Sequence, residues 1–212
     1  MSPAAAILID IAFDDSPKGP SGNETAVPEE QPFGAIKESL KRVAGVLQDA
    51  DVPFVLGGGL AAWAWGGPGT GHDLDVMVKP QDAERALKAL EQAGMRPEKP
   101  PEGWLFKAWD GDVLVDVIFR PVGQDVDEEL FERAEELEVN AVPMKVMSLE
   151  DILVTKLLAL DEHALDFERH LEFARALRER IDWQQVRERT DDSPYAKAFF
   201  TLVEQLGIVK RV

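Results

Sequence analysis

The sequence predicts an α+β fold, in which a core of short strands and helices is followed by a C-terminal helical region. Three observations lead to this prediction. Short apolar strands alternate with amphipathic helices over residues 33–147, and an Asp-Gly step at residues 110–111 separates two strand-like runs. From residue 148 onward, apolar residues recur at helical spacing. We therefore expect a flexible acidic segment at 1–32, a sheet-containing core at 33–147 and a helical region at 148–212.

Each element of the core has its own signal. The first helix stops before Pro53, because proline disfavours helix in the residue that precedes it. Gly94 ends another helix, and the Asp-Gly step predicts a hairpin turn. The predicted elements are a helix at 33–50, a strand at 54–56, a brief helix at 60–65, a strand at 70–78, a helix at 82–93, a loop at 97–101, and hairpin strands at 104–109 and 113–119.

The rest of the chain is predicted to be mainly helical. Ser148 with Asp151 three residues later resembles a capping box at the start of a helix. Helices are expected at 125–137, 152–160, 163–179, 181–189 and 193–206, with one strand at 142–146. At the other end, residues 14–32 are rich in Pro, Gly, Ser and acids and predict a flexible segment. The apolar residues 7–13 are either an edge strand or unstructured.

Composition excludes several classes of protein. The formal charge is -17, of which residues 1–32 carry -5 and residues 121–138 carry -7, so the body of the chain is nearly balanced. It has no basic stripe, which argues against binding of free nucleic acid. The absence of Cys excludes a thiolate zinc site and agrees with a cytoplasmic location. No apolar run reaches the roughly 20 residues that a membrane span needs.

Two aspartates on one strand are the first candidate site. Alternate residues of a strand share a face, so Asp73 and Asp75 lie on the same side, about 6–7 Å apart along the strand. Carboxylate oxygens at this spacing suit one or two Mg²⁺ ions that bridge substrate phosphates. The alternative is an exposed strand with two solvated acids.

Three further features could complete this site. Asp116 interrupts an apolar strand and is costly there unless it is paired or metal-bound, although an exposed sheet face would also accept it. The glycines at 57–59 precede a helix and could present backbone N–H groups to phosphate, or could form a structural turn. Lys156 lies among leucines as a phosphate contact or as a lysine whose charge reaches solvent.

Together these residues resemble the nucleotidyltransferase superfamily, which includes DNA polymerase beta and the aminoglycoside nucleotidyltransferases. The shared pattern is Leu56-Gly57-Gly58-Gly59, then Asp73-Leu74-Asp75, then Asp116 in LVDVIF. A closer resemblance is to small bacterial nucleotidyltransferase-like proteins related to abortive-infection toxins. It is carried by the stretch VPMKVMSLEDILVTKLLAL and by Asp166, and the whole resemblance covers residues 50–177.

The resemblance implies a mixed β-sheet with helices behind it. It also implies transfer of a nucleoside monophosphate from a nucleoside triphosphate, such as ATP, to a hydroxyl, with release of pyrophosphate. Asp73 and Asp75 would hold two Mg²⁺ ions, and Asp116 would bind the catalytic ion and help to deprotonate the acceptor. The acceptor could be a small molecule, a protein or an RNA end. The implied nucleotide-binding residues are Gly57, Gly58, Gly59, Lys79 and Lys156, with Asp166 near the nucleotide.

The chain departs from the family pattern in one respect. Between Gly57 and Asp73 it has no Lys or Arg to meet the triphosphate, so that charge would fall to basic residues elsewhere, such as Lys79, Lys107 or Lys156. A second hypothesis therefore stands beside the enzyme. It is a catalytically degenerate nucleotidyltransferase fold that binds a protein partner, for example as one half of a toxin–antitoxin pair.

Overall fold

A computed structural model describes residues 30–68 and 73–210, with side chains from residue 33 onward. The predictions for residues 7–13 and for most of the acidic segment, and the start of the predicted strand at 70–78, lie outside the described residues. Within the described ranges the chain forms eight α-helices and seven strands. None of these helices combines the length and the apolar character needed to cross a membrane.

Helices and strands are interspersed up to residue 146, and helices follow in the remaining described residues. The first half contains α1 (Glu30–Asp49), β1 (Val55–Leu56), α2 (Gly58–Ala64), β2 (Asp73–Met77), α3 (Ala83–Gln92), β3 (Arg96–Glu98), β4 (Leu105–Asp110) and β5 (Val113–Ile118). The second half contains α4 (Glu128–Arg133), β6 (Glu135–Val139), β7 (Val142–Val146), α5 (Leu149–Leu158), α6 (Glu168–Leu177), α7 (Trp183–Arg189) and α8 (Pro194–Gln205). The predicted α+β class is confirmed.

The seven strands form one mixed sheet in the order β3-β4-β5-β2-β1-β7-β6. Two pairs are parallel, β2 with β5 and β1 with β7, and the other neighbours are antiparallel. One face of the sheet carries the buried residues Leu74, Val76, Val115 and Val117. The helices α1 and α3 pack on this face, where Ser39 Oγ donates to Asp110 Oδ2 at 2.7 Å. The opposite face of β2 and β5 is therefore left for the carboxylates.

The predicted helix at 125–137 is wrong in its second half. Only Glu128–Arg133 is helical, with Asp127 as its N-cap, and the chain becomes extended at Ala134. Residues 135–139 form the edge strand β6, which pairs with β7 through a turn at Asn140 and Ala141, both at positive φ. The acidic composition hid a strand, because helix propensity is a weak prior that tertiary pairing overrides.

Three other boundaries also differ from the predictions. Part of the predicted loop at 97–101 belongs to the edge strand β3. The hairpin turn is Gly111-Asp112 rather than Asp110-Gly111, since Asp110 stays in β4 opposite Val113. The predicted helix at 163–179 begins only at Glu168, because Asp161 accepts from the backbone N–H groups of His163 and Ala164 and stabilises a turn instead.

The C-terminal helices pack against one another around buried aromatic side chains. Phe199 and Phe200 are almost fully buried, and Trp183 contacts Phe200 edge to face, as expected of core residues. Arg180 connects this region to α2, since its guanidinium donates to Trp65 O at 2.5 Å and lies 4.8 Å from the centre of the Trp65 indole. The turn that follows α2 is thus held by the helical region.

Candidate active site

Three carboxylates meet on the open face of the two central strands. Because β2 and β5 are parallel and in register, Asp75 stands directly opposite Asp116, and Asp73 lies two residues before Asp75 on the same face. One oxygen of each carboxylate lies within 4.8 Å of the others. The structure therefore brings together the three acids that the sequence pattern singled out.

The three negative charges are poorly compensated. Burial raises the pKa of Asp75 well above its ordinary value, and the charges of Asp73 and Asp116 raise it further. Burial raises the pKa of Asp116 to about 6, although Lys107 acts in the opposite direction. Asp116 Oδ1 is buried and accepts no hydrogen bond from any of the described residues. A buried acceptor that lacks a donor, within a cluster of carboxylates, fits a divalent cation.

The glycine turn holds one of these acids in place. Gly57 N donates to the backbone oxygen of Asp75 at 2.9 Å, and Gly59 N–H hydrogen-bonds its carboxylate. Gly58 has φ +58°, and a Cβ atom there would stand 1.6 Å from Asp75 Oδ2. No side chain fits at that position. The structure thus gives the glycines a role in fixing Asp75, and their predicted contact with phosphate stays a prediction.

Lys156 approaches the carboxylates from α5. The charges of Asp75 and Asp73 both act on its ammonium group, while burial, the larger effect, lowers its pKa. The half-buried His170 lies behind it, with Nε2 3.4 Å from the backbone oxygen of Lys156. The structure therefore brings Lys156 near the carboxylates, and its predicted contact with phosphate stays a prediction.

Lys79 and Asp166 are directed elsewhere. Lys79 follows the end of β2, and its ammonium forms an ion pair with Glu128 and lies 5.1 Å from the centre of the Phe131 ring, so it contacts α4. Asp166 accepts a hydrogen bond from Glu168 N at the start of α6. The structure gives neither residue a contact with the three carboxylates, and their predicted roles toward the nucleotide stay predictions.

Lys107 is the basic residue that the hairpin brings to the site. It stands opposite Asp116 on one side and opposite Glu98 on the other, and it forms no ion pair with any of the described carboxylates. The sequence named Lys107 only as one of several cations. The sign that could have singled it out is the hairpin register: a turn at Asp110-Gly111 would pair Asp116 with Leu105, whereas the observed turn pairs it with Lys107.

A family model described as an uncharacterised nucleotidyltransferase matches residues 34–205. The chain belongs to this nucleotidyltransferase family. The match includes every strand of the sheet and all three aspartates, so the prediction of a nucleotidyltransferase is confirmed. A search of curated proteins finds none similar in sequence.

Two solved structures of ANT(2'')-Ia support the same fold. The antibiotic-resistance factor ANT(2'')-Ia, in a solution structure, is similar with a TM-score of 0.59 and 16% identity, over 82% of this chain and 98% of its own. A crystal structure of ANT(2'')-Ia in complex with adenylyl-2''-tobramycin has a TM-score of 0.58 and 15% identity, over 77% of this chain and 98% of its own. The lincosamide antibiotic adenylyltransferase LnuA, in a lincomycin-bound crystal structure, has a TM-score of 0.48 and 14% identity, over 72% of this chain and 97% of its own. The predicted closer relation to abortive-infection toxins stays a prediction.

Proposed function

We propose that this family member transfers a nucleoside monophosphate from a nucleoside triphosphate to the hydroxyl of an acceptor, with Mg²⁺ as cofactor and pyrophosphate as second product. The observation that carries the proposal is the cluster of Asp73, Asp75 and Asp116, whose oxygens converge within 4.8 Å around a buried acceptor that lacks a donor. Like charges held this close lower the stability of the free protein, and such a cluster is typical of a site that binds a cation.

Asp73, Asp75 and Asp116 are the residues that would hold the metal, and two ions would offset part of their negative charge and part of that of a triphosphate. Bound Mg²⁺ would neutralise phosphate oxygens and align the attacking and leaving oxygens. The chain contributes the positions of these ligands. Asp75 is fixed by the glycine turn, and Asp116 is fixed by its register opposite Asp75.

Two lysines can supply the positive charge that residues 57–73 lack. Lys156 reaches the carboxylates from α5, and Lys107 stands beside Asp116 on β4. They come from opposite directions along the sheet, since α5 follows β7, which lies beyond β2 and β1, whereas β4 lies beyond β5. This arrangement supports a triphosphate site despite the departure from the family pattern.

The transfer itself needs one proton acceptor. The acceptor's hydroxyl oxygen forms a bond to the α-phosphorus, the bond from that phosphorus to the bridging oxygen breaks, and its electron pair leaves with pyrophosphate. We assign the hydroxyl proton to the carboxylate of Asp116. In the metal-free protein burial raises the pKa of Asp116 to about 6, and bound Mg²⁺ would keep this carboxylate deprotonated and able to accept the proton.

The substrates we propose are ATP and a small-molecule hydroxyl. The structurally similar ANT(2'')-Ia is described in complex with adenylyl-2''-tobramycin, an adenylylated small molecule. The net charge of -17 argues against an RNA end as acceptor, because free nucleic acid would be repelled. We place the reaction in the cytoplasm, where nucleoside triphosphates are present and a chain without Cys needs no oxidising environment.

Labelled transfer tests the proposed reaction. The purified protein would be incubated with Mg²⁺ and each of the four α-labelled triphosphates, with a cell extract as the source of acceptors. We expect Asp75→Asn to lower transfer at least about 100-fold, because the central metal ligand is lost. Asp112→Asn is the matched control, since Asp112 lies exposed in the hairpin turn. Undiminished transfer by Asp75→Asn would contradict the metal assignment.

The second candidate function is a binding module built on a degenerate nucleotidyltransferase fold, with a protein partner such as an antitoxin. It is favoured by the lack of Lys and Arg between Gly57 and Asp73. Calorimetry with ATP and Mg²⁺ separates the two functions. Heat of binding that disappears in Asp75→Asn supports the enzyme, whereas no binding at millimolar nucleotide supports the module.

A further inference from the structure

The open face of the sheet continues from the three carboxylates to the edge strand β3. The strand register places residues of four strands side by side in two neighbouring rows on this face. The first row is Asp75, Asp116, Lys107 and Glu98, and the second is Asp73, Leu114, Trp109 and Arg96. The acids of the candidate active site thus adjoin a surface formed by Lys107 and Trp109 of β4 and by Leu114 of β5, which we call the β4 shelf.

Trp109 is held in place from the edge of the sheet. Its indole Nε1 donates to Glu98 Oε2 at 3.2 Å, and the Arg96 guanidinium lies 5.2 Å from the centre of its ring. Both partners stand on β3, on the far side of β4 from Asp116. On the β5 side, the residue directly opposite Trp109 is the half-buried Leu114. An oriented and partly exposed aromatic ring therefore lies next to the carboxylates.

The geometry of the reaction assigns a substrate to this side. The glycine turn and Lys156 reach the carboxylates from the β1 side of β2, where they are placed for the triphosphate. In an in-line displacement the attacking and leaving oxygens lie on opposite sides of the phosphorus. Pyrophosphate that leaves toward the β1 side requires an acceptor that enters from the opposite side, over β5 and β4.

We propose that the β4 shelf is the acceptor subsite and that Trp109 is its specificity-determining residue. The inference rests on the proposed transferase function. Trp109 stacks on a ring of the acceptor while the reacting hydroxyl reaches Asp116. Diagonal cross-strand neighbours such as Trp109 and Asp116 have their Cα atoms about 7–8 Å apart, so a small ring that lies against Trp109 can carry a hydroxyl that reaches Asp116. The acceptor class is thus a small molecule whose hydroxyl is carried on or beside a ring.

Acceptor kinetics with chosen probes test the proposal. Transfer from ATP would be measured to three ring compounds (tobramycin, lincomycin and glucose) and to glycerol as a hydroxyl compound without a ring, alongside release of AMP by water. We expect Trp109→Ala to raise the KM for a ring acceptor roughly tenfold, because stacking is lost. The KM for ATP, the rate of AMP release and any transfer to glycerol stay within about twofold.

Two variants separate stacking from structural damage. Trp109→Phe keeps an aromatic ring and should restore the KM for the ring acceptor to within about threefold of the wild type. Phe106→Ala removes an aromatic side chain from the opposite face of the same strand, where Phe106 contacts Phe119, and should leave that KM unchanged.

Three results would overturn the inference. The first is a ring-acceptor KM in Trp109→Ala equal to that of the wild type, and the second is an equal rise in Phe106→Ala. The third is transfer to glycerol but to none of the ring compounds. If the proposed transferase function is itself wrong, the wild-type protein neither binds ATP nor releases AMP. That result differs from the three above, and it also removes the basis for an acceptor subsite.

Discussion

Gly58 stands where no other residue can. Its φ of +58° is in the left-handed region, and the position of a Cβ atom is already filled by the carboxylate of Asp75. The close approach lets the glycine turn and Asp75, the proposed metal ligand, act as one unit, in which Gly59 N–H holds the carboxylate that Gly58 leaves room for. The glycine motif of the sequence is thus explained by a contact between the start of α2 and the middle of β2.

We expect Gly58→Ala to displace Asp75 and to lower Mg²⁺-dependent transfer at least about 100-fold, while the fold is retained. Binding of Mn²⁺, followed by electron paramagnetic resonance, and far-UV circular dichroism measure the two properties separately. Gly66→Ala is the matched control. Gly66 has φ +89°, so the substitution strains the backbone, but a Cβ atom there would meet no atom within 4 Å and would not contact Asp75. Equal loss of metal binding in both variants would show that strain, rather than the collision, is responsible.

At the scale of elements, a buried charge network joins three helices. Asp151 at the start of α5 is 2% exposed and accepts hydrogen bonds from Arg133 of α4, Arg189 of α7 and Ser148. Burial alone would raise the pKa of Asp151, but these hydrogen bonds lower it below its ordinary value. The predicted capping box is therefore half right: Ser148 caps the helix, while the carboxylate of Asp151 turns to the two arginines.

We expect Asp151→Asn to lower the free energy of unfolding by about 3 kcal/mol, because two arginines lose a buried partner. Since the pKa of Asp151 is lowered by folding, its stabilisation is present above about pH 4 and is lost as the pH falls further. Urea unfolding at pH 7 and at pH 3 measures both effects. Asp125→Asn, at the exposed ion pair with Arg120, should cost about 0.5 kcal/mol or less, and a similar cost for Asp151→Asn would refute the network's role.

At the scale of the whole molecule, the candidate active site opposes folding. The pKa of Asp116 is raised to about 6 by burial, so this group favours the folded state while protonated. The stabilisation that Asp116 contributes is fully present below about pH 4, which is close to the ordinary pKa of an aspartate, and it is lost as the pH rises through 6. A bound cation compensates for the repulsion by mass action.

We therefore expect the metal-free protein to lose on the order of 2 kcal/mol of stability from this group between pH 4 and pH 7. In Asp116→Asn that loss should be absent. Thermal unfolding in EDTA across this pH range, repeated at pH 7 with millimolar Mg²⁺, makes the measurement. A parallel pH dependence of the wild type and Asp116→Asn would contradict the assignment, and so would the absence of any stabilisation of the wild type by Mg²⁺.

The division into a core at 33–147 and a helical region at 148–212 is also a question for the whole molecule. This division stays a proposal. The two segments are connected in the structure, because Lys156 of the helical region lies near the carboxylates of the core and Arg180 of the helical region contacts Trp65 of the core. A site assembled from both segments indicates that neither completes it alone.

The sequence by itself determined the three carboxylates, the glycine turn and the α+β class. These follow from short-range rules, since alternate strand residues share a face and glycine alone accepts a crowded left-handed position. It also identified Asp116 as a charge within an apolar strand, and the resemblance to nucleotidyltransferases grouped it with Asp73 and Asp75.

Only the tertiary structure decided which cations and aromatic rings accompany those acids. Moving the hairpin turn from Asp110-Gly111 to Gly111-Asp112 changes the residue opposite Asp116 from Leu105 to Lys107, because each step of the turn shifts the pairing by two residues. The edge strands β3 and β6 were likewise missed, since short strands with charged residues gain their stability from a neighbour that local pattern does not reveal. Strand pairing is a long-range choice, and it places Trp109 and Lys107 beside the candidate active site.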